Sequence, residues 1–189
     1  MKFSNKIGIA ALLAVSSATL QAAEFDYDYG QINYYSGDFD GMGVTGSFVV
    51  NKEFFVIADY IGVSESVGGF DIDYSQFSIG AGYHMPMSDK TDAVFTVSFV
   101  DASVDIPNIV VPGATTFDDT GLQLTAGVRH NLNATFELEG GVRYIDTFNG
   151  DSGLYGSARY KINKTMSAAL KYSSGDYNDG IGLDFRFKF

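Results

Sequence analysis

The chain has 189 residues, of which 23 are acidic and 12 are basic, and its formal net charge is -11. Such an acidic chain is a poor candidate for nucleic-acid binding. It contains no cysteine, which excludes disulfide bonds and thiolate metal sites. The 22 glycines, 12 tyrosines and 16 phenylalanines beside 3 prolines favour β-strands joined by tight turns.

Residues 1–23 have the pattern of a secretory signal peptide. Lys2 and Lys6 precede an apolar run over residues 7–15, and small residues follow around Ala22 and Ala23. The apolar run is too short to span a bilayer as a helix. We expect cleavage after Ala22 or Ala23, which leaves one domain over residues 24–189. Without Lys2 and Lys6, the 12 basic residues fall to 10 against 23 acids, a charge of -13.

Ten segments of alternating apolar and polar side chains predict ten β-strands. In the first segment the tyrosines change phase, so we expect a bulge there. In the third, Phe55 and Ile57 fall on an otherwise polar face. The count is eight if the first segment and a neighbour are misread. The segments are residues 25–35, 41–50, 54–61, 74–84, 93–102, 121–130, 136–145, 154–161, 166–173 and 180–189.

The connections between these segments alternate in kind. Four are short and similar, and three of them read Asn-x-x-Phe or Asn-x-x-Met, beginning at Asn51, Asn133 and Asn163; the fourth begins at Ser88. The other connections are mostly longer and rich in Gly and Asp, and cover residues 36–41, 65–73, 104–119, 146–153 and 174–180. In the longest, Pro107 and Pro112 bracket an apolar stretch that is a candidate contact surface. An ordinary surface loop is an equal alternative.

The last strand carries Ile181, Leu183, Phe185, Phe187 and Phe189 on one face and charged residues on the other. Outward-phase aromatic residues lie near strand ends and form two predicted girdles. One girdle is Phe48, Phe54, Tyr83, Phe136, Tyr160 and Phe189, and the other is Tyr60, Phe99, Tyr144 and Tyr172. The polar face is rich in Gly, Ser, Thr and Gln, which suits a narrow lumen better than a surface washed by water.

As a whole, the chain resembles the small bacterial outer-membrane β-barrel proteins. Its Tyr- and Asp-rich first strand, Asn-x-x-Phe turns and Gly82-Tyr83 strand end are similar to a family first described as activators of plant immunity and supposed quorum signals. The resemblance implies an all-β, antiparallel up-and-down transmembrane barrel in the outer membrane of a Gram-negative cell, with the short turns facing the periplasm. In such barrels the assembly machinery recognises the terminal strand, here Tyr172, Ile181, Leu183, Phe185, Phe187 and Phe189.

Charged residues on the inward phase predict an ion-pair network that fills the lumen. We expect Arg129 opposite Glu137, Lys161 near Glu139 and Lys171 near Asp184, with registers accurate to about two residues. A surplus of inward bases would alternatively favour anions in a narrow pore. The predicted network is Asp59, Arg129, Glu137, Glu139, Arg143, Arg159, Lys161, Lys171, Asp184 and Arg186, with Lys188 on the same face.

No catalytic, cofactor or metal site is predicted. His84 and His130 end strands at the turn side, away from the outer rim where a hydrolase or acyltransferase site would be expected. The stretch from Asp38 to Gly41 and residues 176–180 match only fragments of a calcium loop.

The sequence therefore predicts an integral outer-membrane β-barrel with a structural or surface-interaction role. A narrow anion-preferring, porin-like pore is the alternative. An outer-membrane enzyme and a soluble periplasmic lipid-binding barrel are less favoured. We expect a monomer in contact with outer-membrane lipids and lipopolysaccharide, inserted by the barrel-assembly machinery, with no nucleic-acid partner.

Overall fold

The computed structural model describes residues 25–106, 116–175 and 179–189, which form ten antiparallel strands closed into a barrel. Each strand pairs with its neighbours in the chain, and β1 pairs with β10. The strands are β1 (Tyr29–Gly37), β2 (Asp40–Val49), β3 (Phe54–Val67), β4 (Phe70–Ser88), β5 (Thr91–Asp105), β6 (Thr116–Asn131), β7 (Phe136–Ile145), β8 (Asp151–Lys161), β9 (Met166–Ser173) and β10 (Gly180–Lys188). The predicted ten-strand up-and-down barrel is confirmed, and the count of eight is wrong.

Three predictions fall outside the described residues. They are the signal peptide with its cleavage after Ala22 or Ala23, the apolar stretch between Pro107 and Pro112, and most of the calcium-loop fragment over residues 176–180. Across the part of the chain that is described, no helix has the length and apolar character needed to cross a bilayer.

Four adjacent strands are much longer than the other six. Strands β3 to β6 have 14, 19, 15 and 16 residues, whereas the remaining strands have 8 to 11. The predicted loop over residues 65–73 is wrong, because most of it continues β3 and β4. Gly68 and Gly69 close this hairpin with φ values of 62° and 87°, the left-handed geometry of a tight two-residue turn. This four-strand wall extends beyond the rest of the barrel.

The first strand differs from its prediction. Strand β1 begins at Tyr29, and its pairing with β2 and β10 continues without a register shift, so the expected bulge is absent there. The tyrosines of β1 lie on both faces of the sheet, with Tyr29 buried in the lumen and Tyr34 exposed on the outer surface. The register shift lies instead in β4, between Pro86 and Ser88, where proline has no N–H to donate to a ladder.

The short turns explain the repeat in the sequence. In each of three turns, the side-chain Oδ1 of an asparagine accepts two backbone N–H groups, at positions two and three residues farther on. These contacts measure 3.0 and 3.0 Å at Asn51, 2.8 and 2.9 Å at Asn133, and 2.9 and 2.8 Å at Asn163. In the fourth turn Ser88 Oγ accepts from the N–H of Lys90. We call this end of the barrel the turn end and the opposite end the loop end.

The outer surface is an apolar band bounded by aromatic rings. Phe54 packs on Tyr83 with ring centroids 5.1 Å apart, and Phe136 packs on Tyr160 at 5.3 Å, both at the turn end. Nearer the loop end, Tyr60 pairs with Phe77 and Phe99 with Leu122. All the large apolar residues of the terminal strand point outward and are exposed, as is Tyr172 on the strand beside it. Such a closed sheet satisfies its backbone groups internally, as lipid requires.

Candidate functional site in the barrel lumen

Two cavities in the lumen are separated by charged side chains. A cavity of about 230 Å³, the lumen cavity, lies between Asp59, Arg143 and Lys171. A second cavity of about 600 Å³, the vestibule, is lined at the turn end by residues that include Lys164 and Lys188. Arg129, Arg159 and Arg186 line both cavities, so these three side chains form the boundary between them.

Arg129 and Glu137 form one buried ion pair of this boundary. Arg129 Nε and Nη2 donate to Glu137 Oε1 at 3.0 and 2.7 Å. The pair is diagonal, because the register places Arg129 directly opposite Glu139. Lys161 Nζ lies 3.7 Å from Glu137 Oε2, so this carboxylate is shared by two cations.

Arg159 and Asp184 form the second buried pair and lie two strands apart. Arg159 donates from Nη1 to Asp184 Oδ1 at 2.7 Å and from Nη2 to Oδ2 at 2.9 Å. Both residues are opposite Ala169 on the strand between them. The small alanine side chain leaves the guanidinium free to reach across β9. The parallel two-bond geometry is the strong form of an arginine–carboxylate contact.

One of the expected lysine partners needs correction. Lys171 is opposite Gly182 and so lies near Asp184, as predicted, although its Nζ donates to Asn33 Oδ1 at 3.2 Å and the Asp184 carboxylate is held by Arg159. Lys161 donates to Asn131 at 2.8 Å and lies near Glu137 instead of Glu139. The backbone N–H of Lys161 donates to the carbonyl of Thr135, which lies closer to the turn end than Glu137. Lys161 is therefore nearer to Glu137 than to Glu139.

The remaining predicted residues lie around the two cavities. Arg143 lines the lumen cavity with Asp59, which accepts a hydrogen bond from Ser78, and with Glu139. Arg186 Nε donates to Gln31 Oε1 at 2.9 Å, and its guanidinium lies 3.8 Å from the centre of the Tyr29 ring. The structure thus brings the predicted charges into one lumen. Some of these charges also form hydrogen bonds with Gln31 and Asn33, which were not predicted from the sequence.

A feature that the sequence analysis missed is the N-terminal segment, residues 25–28, which lies inside the turn end of the lumen. Tyr27 stacks on Phe55 and His84 at centroid distances of 4.8 and 4.2 Å. Phe25, Tyr27, Phe55 and Val94 form a buried apolar cluster. The two apolar residues on the inward face of the third segment were the signal of this cluster, because a water-filled lumen would not require them.

Polar contacts also hold the N-terminal segment in place. Ser47 Oγ donates to the Tyr27 carbonyl at 2.6 Å, and Asp28 Oδ1 accepts from the N–H of Val49 at 2.6 Å. Arg129 Nη1 donates to the carbonyl of Asp26 at 3.2 Å, and Lys188 pairs with the Asp26 carboxylate. The segment is therefore bonded to both sides of the lumen.

Asp92 is a buried acid that the sequence analysis did not identify. Its Oδ2 accepts from Tyr27 OH at 3.1 Å and lies 3.1 Å from His84 Nδ1, while its Oδ1 has no partner among the described residues. Burial and the neighbouring Asp92 carboxylate raise the pKa of Tyr27 above its ordinary value, although Arg129 opposes the shift. Tyr27 is therefore a neutral hydrogen-bond donor at neutral pH.

His84 and His130 occupy different surroundings. His84 lies in the interior of β4 and contacts Asp92 and Tyr27. His130 lies near the end of β6 and contacts Thr91 Oγ1 through Nδ1 at 2.9 Å. Neither contact joins a histidine to a serine nucleophile. His84 instead stacks on Tyr27 and so helps to position the N-terminal segment, residues 25–28, which we also call the plug.

Comparisons with known proteins identify the family. A family model for the outer membrane protein beta-barrel domain matches residues 7–188. A comparison with curated protein sequences finds no significant match.

Similar solved structures are small outer-membrane barrels. The KdgM porin, solved in complex with disordered oligogalacturonate, is 10% identical, with 85% of this chain and 99% of that chain covered and a TM-score of 0.47. Ail, the attachment invasion locus protein of Yersinia pestis, solved with sucrose octasulfate, is 15% identical, with 84% and 94% covered and a TM-score of 0.45. The NanC porin is 8% identical, with 85% and 100% covered and a TM-score of 0.48.

The family match and the barrel geometry agree. The match covers nearly the whole chain, and the barrel exposes an apolar band that would be costly in water. A soluble periplasmic barrel with an inward apolar face is therefore excluded. The chain belongs to the outer membrane protein beta-barrel domain family and is an integral protein of the cell outer membrane.

Proposed function

We propose that this protein is a closed outer-membrane barrel with a structural or surface-interaction role. The observation that carries the proposal is the N-terminal segment, which narrows the turn end of the lumen and is held there by Phe55, Arg129 and Lys188. Two buried ion pairs, Arg129–Glu137 and Arg159–Asp184, also lie in the interior of the barrel. A lumen filled in this way supports a barrel that does not conduct.

The wall formed by β3 to β6 supports a role at the cell surface. Between the ring of Tyr60, Phe77 and Phe99 and the loop end, the outward positions of this wall change from apolar to acidic and hydroxyl side chains. Phe77 lies directly opposite Asp101, which marks this boundary. The outward positions beyond it include Asp71, Asp73, Asp105 and Asp118, together with Ser66, Ser75, Ser103, Thr116 and Thr120. A projecting polar surface of this kind suits contact with molecules outside the cell.

Shortening this wall tests the surface role. Glu65 pairs with Ile72 and Ser66 with Asp71, so deletion of these four residues removes two complete pairs and preserves the inward and outward alternation. We expect the shortened barrel to migrate faster in gels when unheated, as the intact barrel should. We also expect cells carrying it to lose adhesion or aggregation that cells with the intact protein show. Equal adhesion in both cells would contradict the surface role.

A narrow anion-preferring pore is the second candidate, because the lumen is lined by a surplus of bases. The lumen cavity has five bases, Arg129, Arg143, Arg159, Lys171 and Arg186, against three acids, Asp59, Glu139 and Asp184. Single-channel recordings in planar bilayers separate the two proposals. Silence supports the closed barrel, whereas discrete anion-preferring steps that change in Arg143→Ala would support the pore and refute the closed lumen.

We also propose that the protein has no enzymatic activity. His84 and Asp92 contact the side chain of Tyr27 within the plug, which supports a packing role for these groups. Hydrolysis and acyl-transfer assays on outer-membrane preparations, with and without the protein, test this proposal. Activity that depends on the protein would refute it.

Processing and assembly remain proposals as well. We propose removal of residues 1–23, insertion by the barrel-assembly machinery through the terminal strand, and a monomer surrounded by lipid and lipopolysaccharide. Intact mass of the purified protein identifies the cleavage site, and crosslinking in cells identifies neighbours. Gel mobility with and without boiling tests the barrel, since a closed barrel that resists detergent migrates faster when unheated.

A further inference from the structure

Basic side chains are concentrated inside this acidic protein. The chain has 12 lysines and arginines, and Lys2 and Lys6 lie in the predicted signal peptide. Of the other ten, eight line the lumen cavity or the vestibule, and the two exceptions, Lys52 and Lys90, lie in or beside short turns. The positive charge therefore faces the lumen and the periplasm.

The vestibule holds the largest surplus of positive charge. It is lined by two acids, Asp26 and Glu137, and both already have cationic partners, in Lys188 for the first and in Arg129 and Lys161 for the second. Arg159 is paired with Asp184, which lies outside the vestibule, so within the described part of the chain the cations left without a carboxylate are Lys164 and Arg186. Its bases are Arg129, Arg159, Lys161, Lys164, Arg186 and Lys188.

Several donors in the vestibule have no anionic partner. Among the described residues, neither Lys164 nor Arg186 has a carboxylate within 4.0 Å. Arg186 is buried, with a relative exposure of 8%, and lines the vestibule. A buried cation without an anionic partner is costly, and an anion in the vestibule would provide that partner.

We propose that the vestibule is a binding site for a phosphate group that enters from the periplasm, held by Lys164 and Arg186. Phosphate offers several acceptor oxygens to an arginine fork and to a lysine point charge. The volume of about 600 Å³ lies within the range of small-ligand sites, roughly 300 to 1,000 Å³. The phosphate can belong to a soluble periplasmic molecule or to a lipid headgroup of the inner leaflet. The site does not require the lumen to conduct.

The chain provides a matched control for Lys164. Lys52 and Lys164 each follow the asparagine of a short turn, and the two turns have the same hydrogen bonds from the second and third residues after that asparagine. Both lysines are exposed, but only Lys164 lines the vestibule. Neutralising either one changes the net charge of the protein equally.

The test is calorimetric titration of inorganic pyrophosphate into the mature protein in detergent. We expect Lys164→Gln to weaken binding about three- to tenfold, since it removes one charged contact, and Lys52→Gln to leave affinity unchanged. Arg186→Gln should weaken binding more and is interpreted only if unheated gel mobility shows a closed barrel. Absence of binding to the unmodified protein, or an equal effect of Lys164→Gln and Lys52→Gln, would overturn the proposal.

A second arm identifies the source of the phosphate. The titration is repeated in phosphatidylcholine nanodiscs with and without phosphatidylglycerol. If lipid headgroups occupy the vestibule, phosphatidylglycerol will weaken pyrophosphate binding in the unmodified protein and have less effect in Lys164→Gln. If the loss is the same in both proteins, the site takes a soluble phosphate. Either result retains the site, provided that Lys164→Gln still binds pyrophosphate more weakly than Lys52→Gln.

Discussion

The two sides of the lumen are filled by different groups. On the side formed by β3 to β5, Phe55 and Val94 are buried against the N-terminal segment. On the side formed by β6 to β10, the inward positions carry four arginines and three lysines, from Arg129 to Lys188. Tyr27 lies between the two sides, 4.8 Å from the ring of Phe55 and 4.8 Å from the guanidinium of Arg129.

This difference indicates two kinds of stabilisation in one interior. Apolar burial is favourable in proportion to the area removed from water. A buried ion pair adds little net stability, but the loss of one partner leaves an uncompensated charge and is strongly destabilising. Truncation on the basic side should therefore have the larger effect, and removal of both charges should be milder than removal of one. Four variants, each with its own control, test this comparison through urea unfolding in lipid vesicles, followed by tyrosine fluorescence because the chain has no tryptophan.

The largest effect is expected for Arg159→Met. Asp184 has a relative exposure of 0%, and loss of its partner should lower the free energy of unfolding by about 4 kcal/mol. Adding Asp184→Asn removes the unpaired charge and should recover much of the loss. A double variant as unstable as Arg159→Met would show that the pair itself stabilises the barrel, contrary to this account.

Phe55→Ala should lower the free energy of unfolding by about 3 kcal/mol, because it leaves a cavity beside Tyr27. Phe55 has a relative exposure of 3%. Phe54→Ala at the neighbouring lipid-facing position is the control and should cost less, since no internal cavity forms. Equal losses would mean that the plug does not pack as a core.

Gly82→Ala should cost about 2 kcal/mol through overpacking. Gly82 lies directly opposite Phe55, and a Cβ placed there would be 2.0 Å from the Phe55 ring. At Gly46, the control position, a Cβ would have no neighbour within 4 Å, so Gly46→Ala should be neutral or stabilising. In a Phe55→Ala background the cost of Gly82→Ala should fall, and an unchanged cost would refute the steric explanation.

The smallest effect concerns Tyr27 and pH. Because its pKa is raised in the folded protein, the neutral phenol stabilises the fold fully below the unfolded pKa of 10.0, and this contribution declines as pH rises above that value. Between pH 9 and 11 the unmodified protein should lose about 1 kcal/mol more stability than Tyr27→Phe. Tyr34→Phe, at an exposed outward position, should retain the full loss. Identical profiles for Tyr27→Phe and the unmodified protein would contradict this prediction.

Alternation and turn chemistry predicted most of the fold from the sequence. Strands β2, β7, β8, β9 and β10 begin and end within one residue of their prediction, apart from β8, which starts three residues earlier. These strands have apolar residues every second position, and the asparagine turns provide their own hydrogen bonds from nearby backbone. Such information is local, so the sequence alone carries it.

The sequence could not predict the extension of the long wall or the partners within the lumen. Residues 65–73 are rich in Gly and Asp, and they form strand because the facing residues of β3 and β4 pair up to a Gly68-Gly69 turn. Which cation meets which carboxylate depends on shear between strands and on small residues such as Ala169, which lets Arg159 reach Asp184.

The sequence by itself determined a barrel of two-faced strands and favoured a membrane location, because a period of two and the small polar residues of one face follow directly from residue order. It also determined that charges of both signs would face inward. Only the tertiary structure decided that the N-terminal segment would fold back into the lumen and bring Tyr27 to Asp92, 65 positions away. The physical reason is that closure of the barrel creates an enclosed volume, and the groups that fill it come together across the barrel and not along the chain.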